Sequence, residues 1–341
     1  MKKSTQPKAA RITRSLNGEW DVHPGETLPR DWFSKVPVPG LIDLANPAYP
    51  WQKHSYHWYR TRFRLEQGTE FPSAVLRIEQ AMFGTQVFLN GGELGGDIAC
   101  YTSQEYDLIG QLRFGADNEL MIRVGSKETL PPESAVGKDQ ERQSFIPGLW
   151  GDVSLILSGD PSVARVQMIP HISESVAEAR VTLKSTRHFP CTVRLVSRIR
   201  EHLTQRDAAS PQEKSCMVRA GQEAQIIFSH GINALALWSP EQPFLYEHVV
   251  EVYDSGSPID RLVTRFGMRE FRVDGGDFLL NGQKIYLRGG NIAFHRFLSD
   301  ADRRGLPWDM AWVKKLLIDI PKAHNFNFFR NHIGQLYNRW Y

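Results

Sequence analysis

Four polar residues near the C-terminal end of the chain have the types and spacing to act on one ligand. Arg330 and His332 stand two apart at the end of an apolar stretch that reads as a strand from Asn327 to Arg330. Asn291 and His295 follow an earlier strand-like stretch, Lys284 to Arg288. Arg330 and His332 thus stand where a barrel strand should end, on the face that builds active sites. Each residue also has a plainer reading. Arg330 can be ion-paired at a strand end, Asn291 can brace its loop, and His295 and His332 can be structural or surface histidines. A metal centre is not indicated, because His295, Asp300, Asp302 and His332 share no short-range ligand spacing.

The elements around these residues read as strand, helix, strand. Asn281-Gly282 is a tight turn before the first strand. Trp308 to Ile320 carries Val313, Leu316, Leu317 and Ile320 at i, i+3, i+4 and i+7, the stripe of an amphipathic helix. Pro307 suits its start, and Pro321 is expected to end or kink it. This pattern opens a (β/α) barrel, in which reacting groups come from the C-terminal ends of several strands. A whole barrel takes about 250 residues. Residues 281–341 are therefore expected to hold only its opening, with a truncation of the gene or of the expressed segment inside this domain.

Everything earlier reads as β. From Tyr59 to Leu65, Tyr59, Thr61, Phe63 and Leu65 face one way and Arg60, Arg62 and Arg64 the other, which predicts a strand with one buried face. Asn90-Gly91 predicts a type I′ hairpin turn. Leu120 to Val124 and Val153 to Leu157 add strands, separated by a polar loop from Thr129 to Gly148. A second set runs from about Pro161 to Phe271, while Gln205 to Ser215 is polar and reads as a long connection. The expected fold class is mainly β: a jelly-roll β-sandwich, an immunoglobulin-like β-sandwich and the first βα units of a TIM (β/α)8 barrel. The corresponding domains are 1–14 as a flexible lead, 15–160, 161–272 and 273–341.

The chain has 341 residues, 23% of them charged and 41% hydrophobic, with a net charge of +3. No basic run is dense enough for a nucleic-acid stripe, and no stretch approaches the roughly 20 apolar residues of a membrane helix. Nine Trp, ten Tyr and eighteen Phe suit a β-rich core or a sugar-stacking surface. The patch Trp51, His54, Tyr56, His57, Trp58 and Tyr59 allows both readings, with core packing favoured. Asp139, Gln140, Glu141 and Arg142 read as a solvated loop. Cys100, Cys191 and Cys216 form neither a metal spacing nor a disulfide framework. The N-terminal residues lack the apolar stretch of an intact secretory signal, so a cytoplasmic location is expected, or a periplasmic or secreted one if a signal was removed. No cofactor is expected. The oligomeric state stays open.

Several stretches, in order, resemble glycoside hydrolase family 2, the family of β-galactosidases, β-glucuronidases and β-mannosidases. They are Leu16-Asn17-Gly18-Glu19-Trp20, Val36-Pro37-Val38-Pro39-Gly40, Phe88-Leu89-Asn90-Gly91 and Gly148-Leu149-Trp150-Gly151-Asp152. Further along come Trp238-Ser239-Pro240 through Leu245-Tyr246, Phe266-Gly267-Met268-Arg269, Leu280-Asn281-Gly282 and Leu287-Arg288-Gly289-Gly290-Asn291. The resemblance covers nearly the whole chain from Leu16. It implies a retaining β-glycosidase with a carbohydrate substrate and two catalytic glutamates on later barrel strands, neither assignable here. By this resemblance Arg330 and His332 shape a sugar subsite and Asn291 and His295 adjoin it. The family's histidines fall at slightly different spacings. The 341 residues are expected to be inactive by themselves. The alternative is a non-catalytic carbohydrate-binding or partner-docking sandwich protein, with Phe326, Phe328, Phe329, Trp340 and Tyr341 presenting apolar surface.

Overall fold

The computed structural model describes residues 10–340 except 69–70, 139, 141, 143 and 299, and for His295 the backbone alone. Asp139 and Glu141 of the charged loop, and Tyr341, therefore lie outside the described residues. Among those described, strands far outnumber helices, and the fold is mainly β.

Ten strands come first in the chain. They are β1 (Arg11–Ser15), β2 (Gly18–Pro24), β3 (Ser34–Val38), β4 (Tyr56–Arg64) and β5 (Ser73–Ile78), then β6 (Thr85–Leu89), β7 (Gly92–Asp97), β8 (Gln104–Asp107), β9 (Asp117–Gly125) and β10 (Val153–Ser158). They form a six-stranded sheet ordered β3-β2-β4-β9-β6-β7 and a four-stranded sheet ordered β1-β10-β5-β8. Thr85 of one sheet bonds both Gln104 and Tyr106 of the other, at 2.6 and 3.0 Å, so the sheets face each other across a shared interior. The period-2 pattern is obeyed: Ser34, Val36 and Val38 are buried while Lys35 and Pro37 are exposed. In β4 and just beyond it Tyr59, Phe63 and Leu65 are buried and Arg62 and Arg64 are exposed, as the alternation requires. Asn90 (φ 52°) and Gly91 (φ 87°) make the β6–β7 turn with the positive angles this hairpin needs. The polar lead was expected up to residue 14, but β1 already begins at Arg11. That side chain is drawn in by fully buried Asp260, which accepts from its Nε and Nη2 at 2.7 Å each.

Seven further strands follow: β11 (Ser162–His171), β12 (Val176–Lys184), β13 (Cys191–Glu201), β14 (Gln212–Val218), β15 (Glu223–Gly231), β16 (Tyr246–Asp254) and β17 (Ser257–Phe266). They form a three-stranded sheet, β11-β12-β15, and a four-stranded sheet, β14-β13-β16-β17. Val181, Leu183 and Phe228 of the first sheet share one core with Leu195, Val250 and Val252 of the second. One reading is corrected here. Gln212 to Ser215, expected in a connection, belongs to β14. This edge strand pairs only with β13, so polar residues are tolerated along it. Cys191 and Cys216 are free thiols on neighbouring strands, as is buried Cys100 elsewhere in the chain.

A small antiparallel sheet, β18 (Phe271–Asp274), β19 (Asp277–Leu280) and β20 (Gln283–Lys284), clusters with the seven-strand sandwich in one compact unit that extends to Tyr286. Asn281 ties it there, receiving from Glu270 N and donating to Trp238 O, each at 3.0 Å. From Leu287 the chain belongs to the other unit, with the ten-strand sandwich. The strand expected at Lys284 to Arg288 is thus split. Residues Gln283–Lys284 close the antiparallel sheet, and a new strand, β21 (Gly289–Ile292), begins after them.

β21 pairs in parallel with β22 (Phe328–Asn331), and the crossover between them is helical: α1 (Phe294–Leu298), α2 (Met310–Lys314), a π segment (Lys315–Asp319) and α3 (Ile320–Ala323). Asp309 caps α2, accepting from Ala311 N and Trp312 N. The helix was expected to end or kink near Pro321, yet it runs on to Ala323. A proline has no N–H to return to the preceding turn, and the wider π segment just before it absorbs that loss. The same segment shifts the helical phase. Val313 is buried, but Ile320, expected on its stripe, is 44% exposed.

Each sandwich encloses a buried imidazole. His57 accepts or donates at Tyr49 Oη at 2.9 Å, and burial, helped by nearby His54, pushes its pKa down to about 3. Burial and neighbouring His230 do the same to His248, also to about 3, while Ser197 Oγ lies 2.8 Å from Nε2 of both His230 and His248. An unfolded histidine titrates near 6.5. Between pH 6.5 and 3 the unfolded state binds more protons, so stability is complete above 6.5 and falls as pH drops. At pH 5 each of these two histidines removes about 2 kcal/mol. Thermal melts are expected to shift downward between pH 7 and 5, and His248→Gln is expected to start lower at pH 7 but to show a flatter slope.

Candidate functional site

The strand ends of β21 and β22 are brought together by backbone first. Asn291 lies in register with Arg330, and His332 N donates to Ile292 O at 2.8 Å, extending the pairing one step past the strand. Gly289 makes this approach possible. A Cβ there would lie 1.7 Å from Phe328 O, so no other residue fits without moving the strands.

Three of the four residues singled out by sequence meet as a result. Arg330 Nη1 donates to Asn291 Oδ1 at 3.5 Å and to His332 Nδ1 at 3.4 Å, both long bonds that leave the group adjustable. Arg330 and Asn291 are exposed, and His332 is half-buried. Asn291 lies within β21 rather than after it. His295 is a backbone position in α1, and its side chain lies outside the described residues. A cavity of about 740 Å³ opens beside the cluster. Asn291, His332, Arg296 and Arg303 line it, together with apolar residues of the helical crossover and β22. Arg296 and Arg303 were not singled out by sequence. Their only signal is that two arginines fall in the segment just after a strand end. Arg303 is held by Asp300, whose Oδ2 accepts from its Nε at 2.9 Å. Among the described residues no group of three or more histidines, cysteines or carboxylates is placed to hold a metal ion.

The segment after β22 is clamped onto the ten-strand sandwich. Asp152 accepts from Tyr337 Oη at 2.6 Å, from Arg339 Nε at 2.7 Å and from Asn17 Nδ2 at 2.9 Å. Gln80 donates to Leu336 O at 2.9 Å. Trp308 donates its indole N–H to Trp150 O, and Phe294 lies with its ring centroid 5.3 Å from both Trp150 and Trp340. Trp340, expected to lie uncovered, is therefore packed in an aromatic cluster, whereas Phe326 and Phe328 each remain 39% exposed.

A family model described as "Glycosyl hydrolases family 2" matches residues 162–269, most of the seven-strand sandwich. A β-galactosidase of Halalkalibacterium halodurans is 24% identical over 97% of this chain and 34% of its own length. A putative β-glucuronidase of Formosa agariphila is 27% identical over 77% of this chain and 30% of its own. Among solved structures, a β-galacturonidase of Eisenbergiella tayi bound to galacturonate superposes with a TM-score of 0.78 at 18% identity, covering 100% of this chain and 57% of that one. Residues 162–269 are similar to glycosyl hydrolase family 2. The chain spans about a third of the length of these two curated relatives, and at 18% identity the structural likeness is one of fold.

Asp152 is the group through which the strand-end cluster is steadied. Burial and the hydrogen bond to Asp152 both hold the Tyr337 phenol well above its usual titration range. Removing the carboxylate strands a buried hydroxyl and frees the segment after β22. Asp152→Ala is expected to cost about 2–3 kcal/mol and Tyr337→Phe about 1 kcal/mol. Amide hydrogen exchange is expected to speed up first at residues 334–340, a change that a thermal melt alone would not localise.

Proposed function

We propose that this chain supplies a jelly-roll sandwich, an immunoglobulin-like sandwich and the opening βα unit of a (β/α)8 barrel to a retaining β-glycosidase. The reading rests on the ordered family 2 motifs, on the printed activities of the relatives and on one observation above all. Arg330, Asn291 and His332 converge at adjacent parallel strand ends, where such barrels place their sites, and none of the three carries a carboxylate. Retaining hydrolysis needs two carboxyl groups about 5–5.5 Å apart, one to transfer protons and one to attack the anomeric carbon.

The cluster therefore holds the sugar rather than breaking the bond. Arg330 directs N–H groups toward ring hydroxyls or a sugar carboxylate. Asn291 has both a donor and an acceptor for a vicinal diol, and His332 takes whichever role its tautomer allows. With no acid and nucleophile in the cluster, the 341 residues bind a saccharide weakly and do not hydrolyse it.

Two measurements test this. Incubation of the 341-residue chain with a cyclophellitol aziridine, which esterifies the nucleophile of retaining enzymes, is expected to add no mass, and aryl β-glycosides to release no more phenol than a mock preparation. In chain labelled with ¹⁵N-glycine, galactose or glucuronate at about 100 mM is expected to shift Gly289 and Gly290, and Arg330→Ala to abolish those shifts, as suits affinities in the millimolar range. Labelling or turnover would refute the inactive assignment. Silent Gly289 and Gly290 signals with both sugars would refute the subsite.

A further inference from the structure

His332 leads into a backbone turn that the next residue disfavours. Ile333 has φ 57° and Gly334 φ 104°. Glycine takes positive angles freely, but a β-branched side chain in the left-handed region crowds its own backbone. Such a residue persists only where its surroundings hold it. The chain is tied on both sides of the turn: His332 N donates to Ile292 O at 2.8 Å, and Leu336 O accepts from Gln80 Nε2 at 2.9 Å. Between these ties the turn bears on Tyr101, from the connection between β7 and β8. A Cβ at Gly334 would lie 2.6 Å from Tyr101 Cε1 and 2.9 Å from Cζ, so the phenol ring fills the space beside it.

Tyr101 is itself held from several directions. Its ring meets that of Trp150 edge to face, with centroids 5.9 Å apart. Its Oη donates to Val136 O at 3.0 Å and accepts from Arg142 Nη1 at 3.4 Å. Arg142 is buried, and the same Nη1 reaches Val136 O at 2.9 Å and Gly137 O at 3.1 Å, while Nε donates to Ser144 O at 3.1 Å. A guanidinium's donors lie in one plane, so the carbonyls gathered on it keep a fixed arrangement. The clamp around the phenol is therefore built by sandwich residues and does not depend on the turn it supports.

The consequence for the strand ends is geometric. Arg330 meets Asn291 and His332 through long bonds, which hold the imidazole weakly. The backbone on either side of His332 fixes it more firmly. One side is the pairing with β21, and the other is the turn at Ile333. Were the ring removed, Ile333 would relax toward negative φ, and the His332–Ile292 bond at the end of the pairing would be the first to open. We propose that Tyr101 is a positioning residue of the strand-end subsite: by holding Ile333 in its left-handed conformation it sets the His332 imidazole beside Arg330 and Asn291. The benefit to sugar binding rests on the glycosidase reading, whereas the hold on His332 does not.

Chain labelled with ¹⁵N-histidine and ¹⁵N-glycine tests both parts. In Tyr101→Ala the His332 amide proton is expected to exchange about tenfold faster, and in Tyr101→Phe, which keeps the ring, at the rate of the unmodified chain. Adding Ile333→Asn to Tyr101→Ala is expected to restore slow exchange, because asparagine accepts the left-handed region with little strain. A merely structural loss of packing would persist in this double variant. Galactose or glucuronate, followed at Gly289 and Gly290, is expected to bind about fivefold more weakly to Tyr101→Ala and at unmodified strength to the other two. Tyr101→Leu, which fills the sandwich but lacks the flat ring, serves where the alanine variant does not fold. Unchanged His332 exchange in Tyr101→Ala overturns the proposal, as does rescue by neither Ile333→Asn nor Ile333→Gly. Sugar shifts indifferent to Tyr101→Ala also overturn it and leave the subsite standing. Silent Gly289 and Gly290 in the unmodified chain sink the subsite instead, and the exchange pattern then decides whether Tyr101 holds His332.

Discussion

The close backbone packing of residues 148–152 is the constraint on which the candidate site depends. Gly40 N and Ile42 N donate to Leu149 O and Pro147 O on one side, while Met82 N donates to Gly148 O and Gly151 N to Gln80 O on the other. The strip is therefore paired along both edges. A Cβ at Gly151 would lie 2.5 Å from Gln80 N, so the spacing is set by the absence of a side chain. Two features follow from this placement. Trp150, fully buried, offers its carbonyl to Trp308 and its ring to Phe294, and Asp152 collects Asn17, Tyr337 and Arg339. The helical crossover and the segment after β22 are both fixed to this one strip, and with them the positions of Asn291, Arg330 and His332.

Much of this was legible in the sequence, because the signals were local. The alternation from Tyr59 to Leu65, the Asn90-Gly91 turn and the apolar run into Arg330 each follow from the conformational preferences of a few adjacent residues. Where competing interactions act over distance, the reading failed. The polarity of Gln212 to Ser215 suggested a connection, but an edge strand needs only one partner. Lys284 to Arg288 looked like one strand, although its first residue pairs backward with β19 and the parallel strand waits until Gly289. Pro321 signalled a break that the π segment absorbed. The meeting of Arg330 with Asn291 was only half visible. Sequence placed both at strand ends, but only the register puts them opposite each other.

The buried serine between two imidazoles shows how hydrogen-bond bookkeeping resolves detail that spacing cannot. Ser197 has one proton to give, so at most one of the two Nε2 atoms beside it is bare and at least one donates to its oxygen. Burial lowers the His230 pKa, and the Ser210 backbone acts the other way with a smaller effect. This chain of bonds joins β15 of one sheet to β13 and β16 of the other. Its specificity costs little only while both rings are neutral, because a second proton on either ring would face burial and its neighbour together.

The strand-end cluster obeys the opposite rule. Arg330 and Asn291 are exposed and joined by a long bond, so in water the attraction for a sugar that we propose for them competes with solvent at nearly equal strength. The same donors gain strength as water is excluded, since the interaction between fixed charges and dipoles rises as the local dielectric falls. An exposed guanidinium beside a cavity of apolar walls and polar residues is therefore a group whose selectivity depends on how completely its ligand is enclosed. A sugar with an equatorial hydroxyl pair and one with a carboxylate will differ little at the open cluster. They will differ more as enclosure removes water from the Arg330 side, because a carboxylate then meets a matched, charge-assisted partner while a hydroxyl pair does not.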